Sequence, residues 1–297
     1  MWLINLKLIT TMKIEMIKSP LNYTGGKYKL LPQILPYFPS NINTFVDMFC
    51  GGLNVSANVK CKKIIANDLD EHVVGIYKSL KEYDIETIES WIGTWMKMYE
   101  LSNSNEEMYY KLRAHYNDCI KLNKNSILHD MNIMLFVLVC HSFNNMIRFN
   151  KKGDFNVPFG KRTYNANMRK NLVDFYNAIH NIDITFSSED FRKLDLQGLS
   201  KDDFVYCDPP YSITCAAYNS GWDGKDDKDL MDLLDKLHED GIRFALSNVF
   251  SNKGKVNKQL IKWSKKYNVY HLNASYSNCS YHKNNVNKTD EVLITNY

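Results

Sequence analysis

Among its seven cysteines the sequence has no Cys-x-x-Cys pair or other zinc-ligand spacing, and an odd number cannot close into a disulfide framework. That excludes a zinc ribbon and points to a reducing cytosol, hence to a cytoplasmic protein with no metal. Cys140 and Cys207 lie in apolar runs and read as small core residues. No apolar stretch approaches the length of a bilayer span. Residues 1–17 are mildly apolar but are interrupted by Asn5, Lys7, Lys13 and Glu15, and they lack the small-residue cleavage site of a secretory signal. They read as an N-terminal extension, with Met12 and Met16 as alternative starts. Internal repeats and low-complexity tracts are absent. So is acid from one long stretch: between Gly241 and Thr289 there is no Asp or Glu.

That acid-free stretch carries Arg243, Lys253, Lys255, Lys258, Lys262, Lys265, Lys266, Lys283 and Lys288. A second basic run holds Arg148, Lys151, Lys152, Lys161, Arg162, Arg169 and Lys170, and acids gather instead between Asp223 and Asp240. A net charge of +4 therefore hides a segregated distribution. Basic residues interleaved with Asn, Tyr and Phe suit a polyanion such as double-stranded DNA; solvated helix faces would give a similar pattern. A basic amphipathic helix of the kind that lies on membranes is not evident. With 297 residues, 44% of them hydrophobic, the chain can bury a sizeable core.

Two of the seven prolines are consecutive, and they follow an apolar run, Phe204-Val205-Tyr206-Cys207, that reads as a buried strand. Asp208-Pro209-Pro210-Tyr211 is thus a rigid acidic and aromatic ledge at a strand end. The prolines fix φ and remove two amide donors, which leaves the Asp208 and Pro209 carbonyls available to a ligand. The carboxylate adds a strong acceptor and the Tyr211 ring a flat face. A planar base with an exocyclic amine fits those groups, although a strand followed by a proline turn would look the same.

Upstream, 44–49 reads as a strand, followed by Cys50-Gly51-Gly52 and a helix over about 53–59; 63–67 is a second strand, ending at Asp68. Strand, glycine turn and helix open a nucleotide-binding α/β unit, and an acid about twenty residues on commonly holds a ribose. Tyr23-Thr24-Gly25-Gly26-Lys27 precedes a predicted helix over 29–38, a placement that suits an anionic group. Helical periodicity runs from 73 to 123, and 131–141 is apolar nearly all round, as a buried helix would be. Residues 142–162 flank Lys151-Lys152-Gly153-Asp154 and read as a hairpin or ordered loop with Asn, Arg and Lys outward. A helix over 167–180, strands at 183–187 and 204–207, helices at 226–238 and 255–266, and strands at 243–247, 268–272 and 291–295 complete an α/β pattern interrupted by a helical insert.

With these motifs placed in order, the chain resembles the Dam family of DNA adenine methyltransferases, and within it the bacteriophage Dam type, from about Pro20 to Asn296. The resemblance rests on Tyr23-Thr24-Gly25-Gly26-Lys27, Phe45-Val46-Asp47-Met48-Phe49-Cys50-Gly51-Gly52, Asn67-Asp68, the basic loop and Asp208-Pro209-Pro210-Tyr211. It implies a Rossmann-like S-adenosylmethionine-dependent fold over 18–80 and 166–297, with 81–165 as a mostly helical target-recognition insert. Cofactor contacts are implied at Tyr23, Gly25, Gly26, Lys27, Asp47, Phe49, Gly51, Gly52, Asp68, Asp190, Phe191, Asp208 and Tyr218. Tyr23 and Lys27 would hold the methionine end, Asp68 the ribose and Asp190-Phe191 the adenine. The target adenine would flip out against Asp208, Pro209, Pro210 and Tyr211, with Phe143 wedged into the base stack. Asn144, Met146, Arg148, Asn150, Pro158, Lys161 and Arg162 would face DNA. GATC is the implied site, and a cognate restriction endonuclease is a partner the resemblance leaves open. Asn22, where some members carry lysine, and Lys161-Arg162, where others have Arg-Tyr, leave base preference open too. A methyltransferase acting on cytosine, RNA or protein, or a non-catalytic DNA-binding protein, are the competing readings.

Overall fold

The computed structural model describes residues 16–122, 129–214, 221–273 and 289–297. Residues 1–15, Tyr218 and the basic residues Lys283 and Lys288 lie outside them. A single sheet organises the described chain. Strands β1 (Thr44–Asp47), β2 (Lys63–Asn67), β3 (Asp183–Ser187), β4 (Phe204–Cys207) and β5 (Arg243–Asn252) run parallel in the order β3-β2-β1-β4-β5. The sheet continues through β8 (Asp290–Thr295), antiparallel to β5, to β7 (Asn268–Leu272), and a short β6 (Lys255–Val256) hairpins onto β5.

All four residues of β4 are buried, which is what a central parallel strand covered on both faces requires. Alternation along the strands divides two apolar layers. Phe45, Phe204 and Tyr206 point to one, and Val46, Val205 and Cys207 to the other. The second layer is closed by α7 (Gly224–Glu239) and α8 (Lys258–Ser264), through Leu230, Leu234 and Leu260. α7 begins with a reciprocal cap in which Asp223 and Asp226 each accept from the other's backbone amide.

The first layer is closed by α2 (Glu71–Glu82), α6 (Ala166–His180) and the insert helices α3 (Ile85–Met98), α4 (Glu106–Leu122) and α5 (His129–His141). Residues Ile133 to Cys140 of α5 are at most 1% exposed, so this helix is the insert's axis and not a surface element. One continuous apolar cluster joins Phe45 and Tyr206 of the sheet to Ile88 of α3, Leu112 of α4 and Phe155 of the basic loop.

Three local expectations change. The helix over 29–38 is divided into 3-10 turns around a four-residue α1 (Leu31–Ile34), because Pro32 and Pro36 cannot donate to an α ladder. Residues 53–59 form successive turns and no regular helix, with Leu53 in a left-handed conformation at φ 55° directly after the glycines. The segment expected as a helix over 255–266 spends its first two residues pairing with β5, so that α8 starts at Lys258 behind the Asn257 cap.

Candidate active site

The strand order reverses between β1 and β4, so their carboxyl ends bound a crevice of the kind that holds ligands in open α/β sheets. Asp47 ends β1, in register with Tyr206 of β4, and Asp208 follows β4 two residues further on. Between them the chain turns through Gly51 at φ 43°. A Cβ at Gly51 would lie 2.9 Å from the Tyr23 ring, and one at Gly52 would lie 2.9 Å from Asn54 Nδ2 and 3.0 Å from Tyr23 Cβ. The glycines are therefore required because Tyr23 lies directly on the turn. Asn54 secures the same contact by accepting from the Ser19 amide at 3.0 Å, and the Tyr23 loop closes on itself through Gly26 N–H to Tyr23 C=O at 3.1 Å, with Gly25 at φ 82°.

At the end of β2, Asp68 accepts from the Gly51 amide at 2.8 Å and from the Asp70 amide at 3.0 Å. Its carboxyl is pushed up to about 6, first by burial. Asn67 is the mechanical link beside it. Its amide donates to Met48 C=O at 3.1 Å and Glu189 C=O at 2.9 Å, while its oxygen accepts from the Ser187 hydroxyl and the Glu189 amide. One side chain thus ties the β1 turn to the loop after β3 that carries Asp190 and Phe191. Phe191 packs on Phe49 and on Trp222, all three ring pairs at 5.6 Å between centroids. This triangle is an apolar wall suited to a purine face. Asp190 is held by Arg192, whose guanidinium also reaches Asp226 and Asp229.

The ledge forms the other wall. Lys27, 5% exposed, places Nζ 2.8 Å from Asp208 Oδ2 and donates to Gly25 C=O at 3.0 Å. Tyr211 donates its hydroxyl to Asp208 Oδ1 at 3.0 Å, and its ring lies 5.1 Å from the Lys27 ammonium. Tyr211 is only 9% exposed, so its ring is packed into the wall, and the larger open surface is that of Asp208. Pro209 is buried, and no hydrogen bond to its carbonyl is formed among the described residues. Burial raises the Asp208 carboxyl, opposed chiefly by Lys27. Asp47 is 1% exposed, and its carboxyl is pushed up to about 7 by burial, with the Ser56 hydroxyl on Oδ2 at 2.6 Å opposing the rise. Its Oδ1 has no partner among the described residues.

These residues fit the cofactor that the motifs imply. An acid at a strand end, an aromatic wall and unpaired buried carboxylate oxygen match a ligand bearing a ribose, a purine and positive charge.

The basic loop stands beside this crevice. Its base is pinned where Phe143 N–H meets Pro158 C=O and Gly160 N–H meets His141 C=O, both at 2.9 Å. Gly160 is obligatory there, since a Cβ would lie 2.2 Å from the Ser142 carbonyl oxygen. The two flanks share only the bridges Ser142–Phe159 and Phe149–Phe155, so the element is an ordered loop instead of a strand ladder. Inward-facing Phe155 and Val157 bury it, and Phe149 stacks on His72 at 3.9 Å. Outward, Phe143 is 51% exposed, and Arg148, Pro158, Lys161 and Arg162 are exposed. Arg148 is braced by Asn156 through Nε at 2.8 Å, and Arg162 by Asn145 at 3.1 Å. Asn150 spends its oxygen on the Lys152 and Asp154 amides and so forms the loop tip, while Met146 is half-buried. Asn144 adopts φ 55°, and its carbonyl accepts from Asn22 at 2.8 Å, which joins the loop to the segment preceding Tyr23. A hollow of about 440 Å³ opens beside the loop between Lys18, Lys161, Arg162 and the start of α6.

Trp222 has no assigned role in the sequence, Asn22 enters there only as a departure from lysine, and Asn67 only as part of the Asn67-Asp68 motif. Asn67 had the one available signal, its place beside Asp68. Among the described residues no group of three or more His, Cys, Asp or Glu is placed to hold a metal ion, and no helix is long and apolar enough to cross a membrane.

Fold and site together define an α/β protein with a nucleotide-type crevice, a proline-stiffened acid at its lip and a basic loop alongside. The chain belongs to the D12 class N6 adenine-specific DNA methyltransferase family, whose model matches residues 23–278. It is 43% identical over 289 residues to the type II methyltransferase M.FokI of Planomicrobium okeanokoites, covering 95% of this chain and 43% of that protein. It is 42% identical over 307 residues to the modification methylase StsI of Streptococcus sanguinis, covering 99% and 44%. A DNA adenine methylase of Salmonella typhi is 27% identical over 199 residues, covering 67% and 66%. The chain spans less than half the length of the first two relatives.

Proposed function

We propose that this chain transfers a methyl group from S-adenosylmethionine to the N6 amine of an adenine flipped out of double-stranded DNA. The observation that carries the reading is the Lys27–Asp208 pair at 2.8 Å, which closes the glycine-turn wall onto the ledge. Bound there, the cofactor supplies an electrophilic methyl on a sulfonium that leaves as a neutral thioether. Asp68 would take its ribose, the Phe49–Phe191–Trp222 wall its purine, and Tyr23 its methionine end.

The chain's own task is to make a poor nucleophile competent. An adenine amine has its lone pair delocalised into the ring. Asp208 and the Pro209 carbonyl would accept its two hydrogens, which favours a tetrahedral nitrogen with a localised lone pair, and the proton that the methylated nitrogen must shed would leave by way of the Asp208 carboxylate. Lys27 and the Tyr211 hydroxyl hold Asp208 in place, so that positioning supplies much of the acceleration. Extruding the base costs a few kcal/mol, offset by contacts in the pocket and by Phe143 filling the gap in the stack. Arg148, Lys161 and Arg162 would read or hold the duplex, with the hollow beside Lys18 taking backbone phosphate.

GATC is the sequence to test first, on the resemblance of the 142–162 loop to Dam-type loops. Greater identity to a type II methyltransferase and a modification methylase than to a DNA adenine methylase supports testing a randomised duplex pool in parallel, and it supports a cognate endonuclease as partner. The decisive assay follows labelled methyl transfer to unmethylated duplexes, to duplexes already methylated on both strands, and with Asp208→Ala. Label confined to one sequence and lost in the variant supports the reading. Cofactor binding without label in any DNA would move the substrate to RNA or protein. Failure to bind the cofactor, with DNA binding retained, would make the chain a non-catalytic DNA reader.

A further inference from the structure

β8 carries apolar Val292, Leu293 and Ile294 in its middle, all fully buried, yet an equally buried acid stands just before them. Glu291 is 0% exposed. Its Oε1 lies 3.7 Å from Lys27 Nζ and 3.4 Å from the Tyr211 hydroxyl, on a strand that is neither β1 nor β4. A carboxylate is not buried at no cost, and desolvation this complete is tolerated only against specific partners. Two of those partners, Lys27 and Tyr211, also hold Asp208. Among the described residues, Lys27 is the cation that Asp208 and Glu291 share, and its ammonium is nearer to Asp208. Asp68 lines the same crevice, where it accepts from the Gly51 amide.

We propose that Glu291 is a positioning residue whose carboxylate draws part of the Lys27 charge away from Asp208, so that the crevice prefers a cationic methyl donor to its neutral product. The inference rests on the reading of the crevice as an S-adenosylmethionine site. Geometry gives the effect its direction. With Glu291 present, the ammonium is shared with a second acid, and less of its charge is spent on the face of Asp208 toward the crevice. The sulfonium supplies the missing positive charge. S-adenosylhomocysteine, its thioether product, does not. A crevice built this way holds its donor and releases its spent product, and it does so through a residue that touches neither. Glu291 also receives the Tyr211 hydroxyl, which keeps that hydroxyl between the two acids and the Asp208 carboxylate in one orientation.

The test is calorimetric and needs no DNA. S-adenosylmethionine and S-adenosylhomocysteine are titrated separately into the wild-type chain, Glu291→Gln and Glu291→Asp. The expected result is a fall in the donor-to-product affinity ratio on the order of tenfold in Glu291→Gln, the size of one charge acting through a partly shielded interior. Glu291→Asp keeps the charge and should keep most of the ratio. Equal losses for both ligands in Glu291→Gln would make Glu291 a structural residue only and overturn the proposal, as would an unchanged ratio. If Glu291→Gln cannot be purified folded, Glu291→Met replaces it, since buried ionic groups exchanged for apolar ones of similar volume commonly leave stability intact. The ratio is then expected to fall by the same order. A wild-type chain that binds neither ligand would instead refute the cofactor reading on which the proposal stands.

Discussion

Asp47 offers the sharpest quantitative check on this architecture. Its carboxyl is buried, carries one hydrogen bond from Ser56 and leaves Oδ1 without a partner among the described residues, and burial pushes it up to about 7 from an ordinary 3.8. In the unfolded chain the group ionises near its ordinary value, whereas in the folded chain it holds its proton to about pH 7. Its folded-state value is raised, so its contribution to stability is fully present below the unfolded value. That contribution is lost as pH climbs through the folded one. Three pK units at about 1.4 kcal/mol each give a full loss of about 4 kcal/mol, of which about 2 to 3 kcal/mol falls between about pH 5 and pH 8. Asp47→Asn removes the titration. The amide leaves one donor unpaired at a cost of about 1 to 3 kcal/mol, but that cost does not vary with pH. Urea unfolding of both proteins across that range should therefore give a stability difference that moves by about 2 to 3 kcal/mol in favour of the variant as pH rises. A difference that stays flat would show Asp47 to be ionised in the folded protein and would refute the reasoning. If the charge is retained for the cofactor, the variant should also lose affinity for S-adenosylmethionine while gaining stability at high pH.

Gly160→Ala drives a methyl group to 2.2 Å from the Ser142 carbonyl oxygen; a cost of about 1 to 3 kcal/mol is expected, with DNA affinity lost and cofactor affinity kept, read by thermal unfolding and gel shift. Lys27→Met removes the chief opposition to the raised Asp208 carboxyl, so the acidic limb of the methyl-transfer pH profile should move to higher pH; an unmoved limb would exclude Asp208 as the ionising group. Phe143→Ala deletes a half-exposed ring and should change stability by less than about 0.5 kcal/mol, while weakening transfer to duplex far more than to a mismatched target base. Arg148→Ala should flatten preference among sites, costing roughly 1 to 3 kcal/mol of discrimination; uniform weakening at every site would make it a phosphate contact.

Much of this architecture was legible because it is local. Alternation fixed β3 over the same residues that the structure shows, and the apolar run ending at Cys207 located β4 and with it the ledge. An apolar run with no polar face marked 131–141 as a buried helix, and α5 is one. Errors arose where neighbours in sequence compete. Pro32 and Pro36 divide a helix that hydrophobic spacing alone would continue, and Gly51-Gly52 throws the following residues into turns.

The sequence by itself determined the strand-turn-strand frame, the rigid Asp208-Pro209-Pro210-Tyr211 ledge and the basic loop, since each depends on φ restriction, side-chain period or charge within a few residues. Tertiary structure alone decided which groups meet at that ledge. Lys27, Tyr211 and Glu291 come from three distant segments, and Asn22 reaches Asn144 across 122 positions. Nothing in their local surroundings marks such contacts. An acid at the start of a strand reads as solvent-facing until the sheet order places β8 against β5 and removes its water.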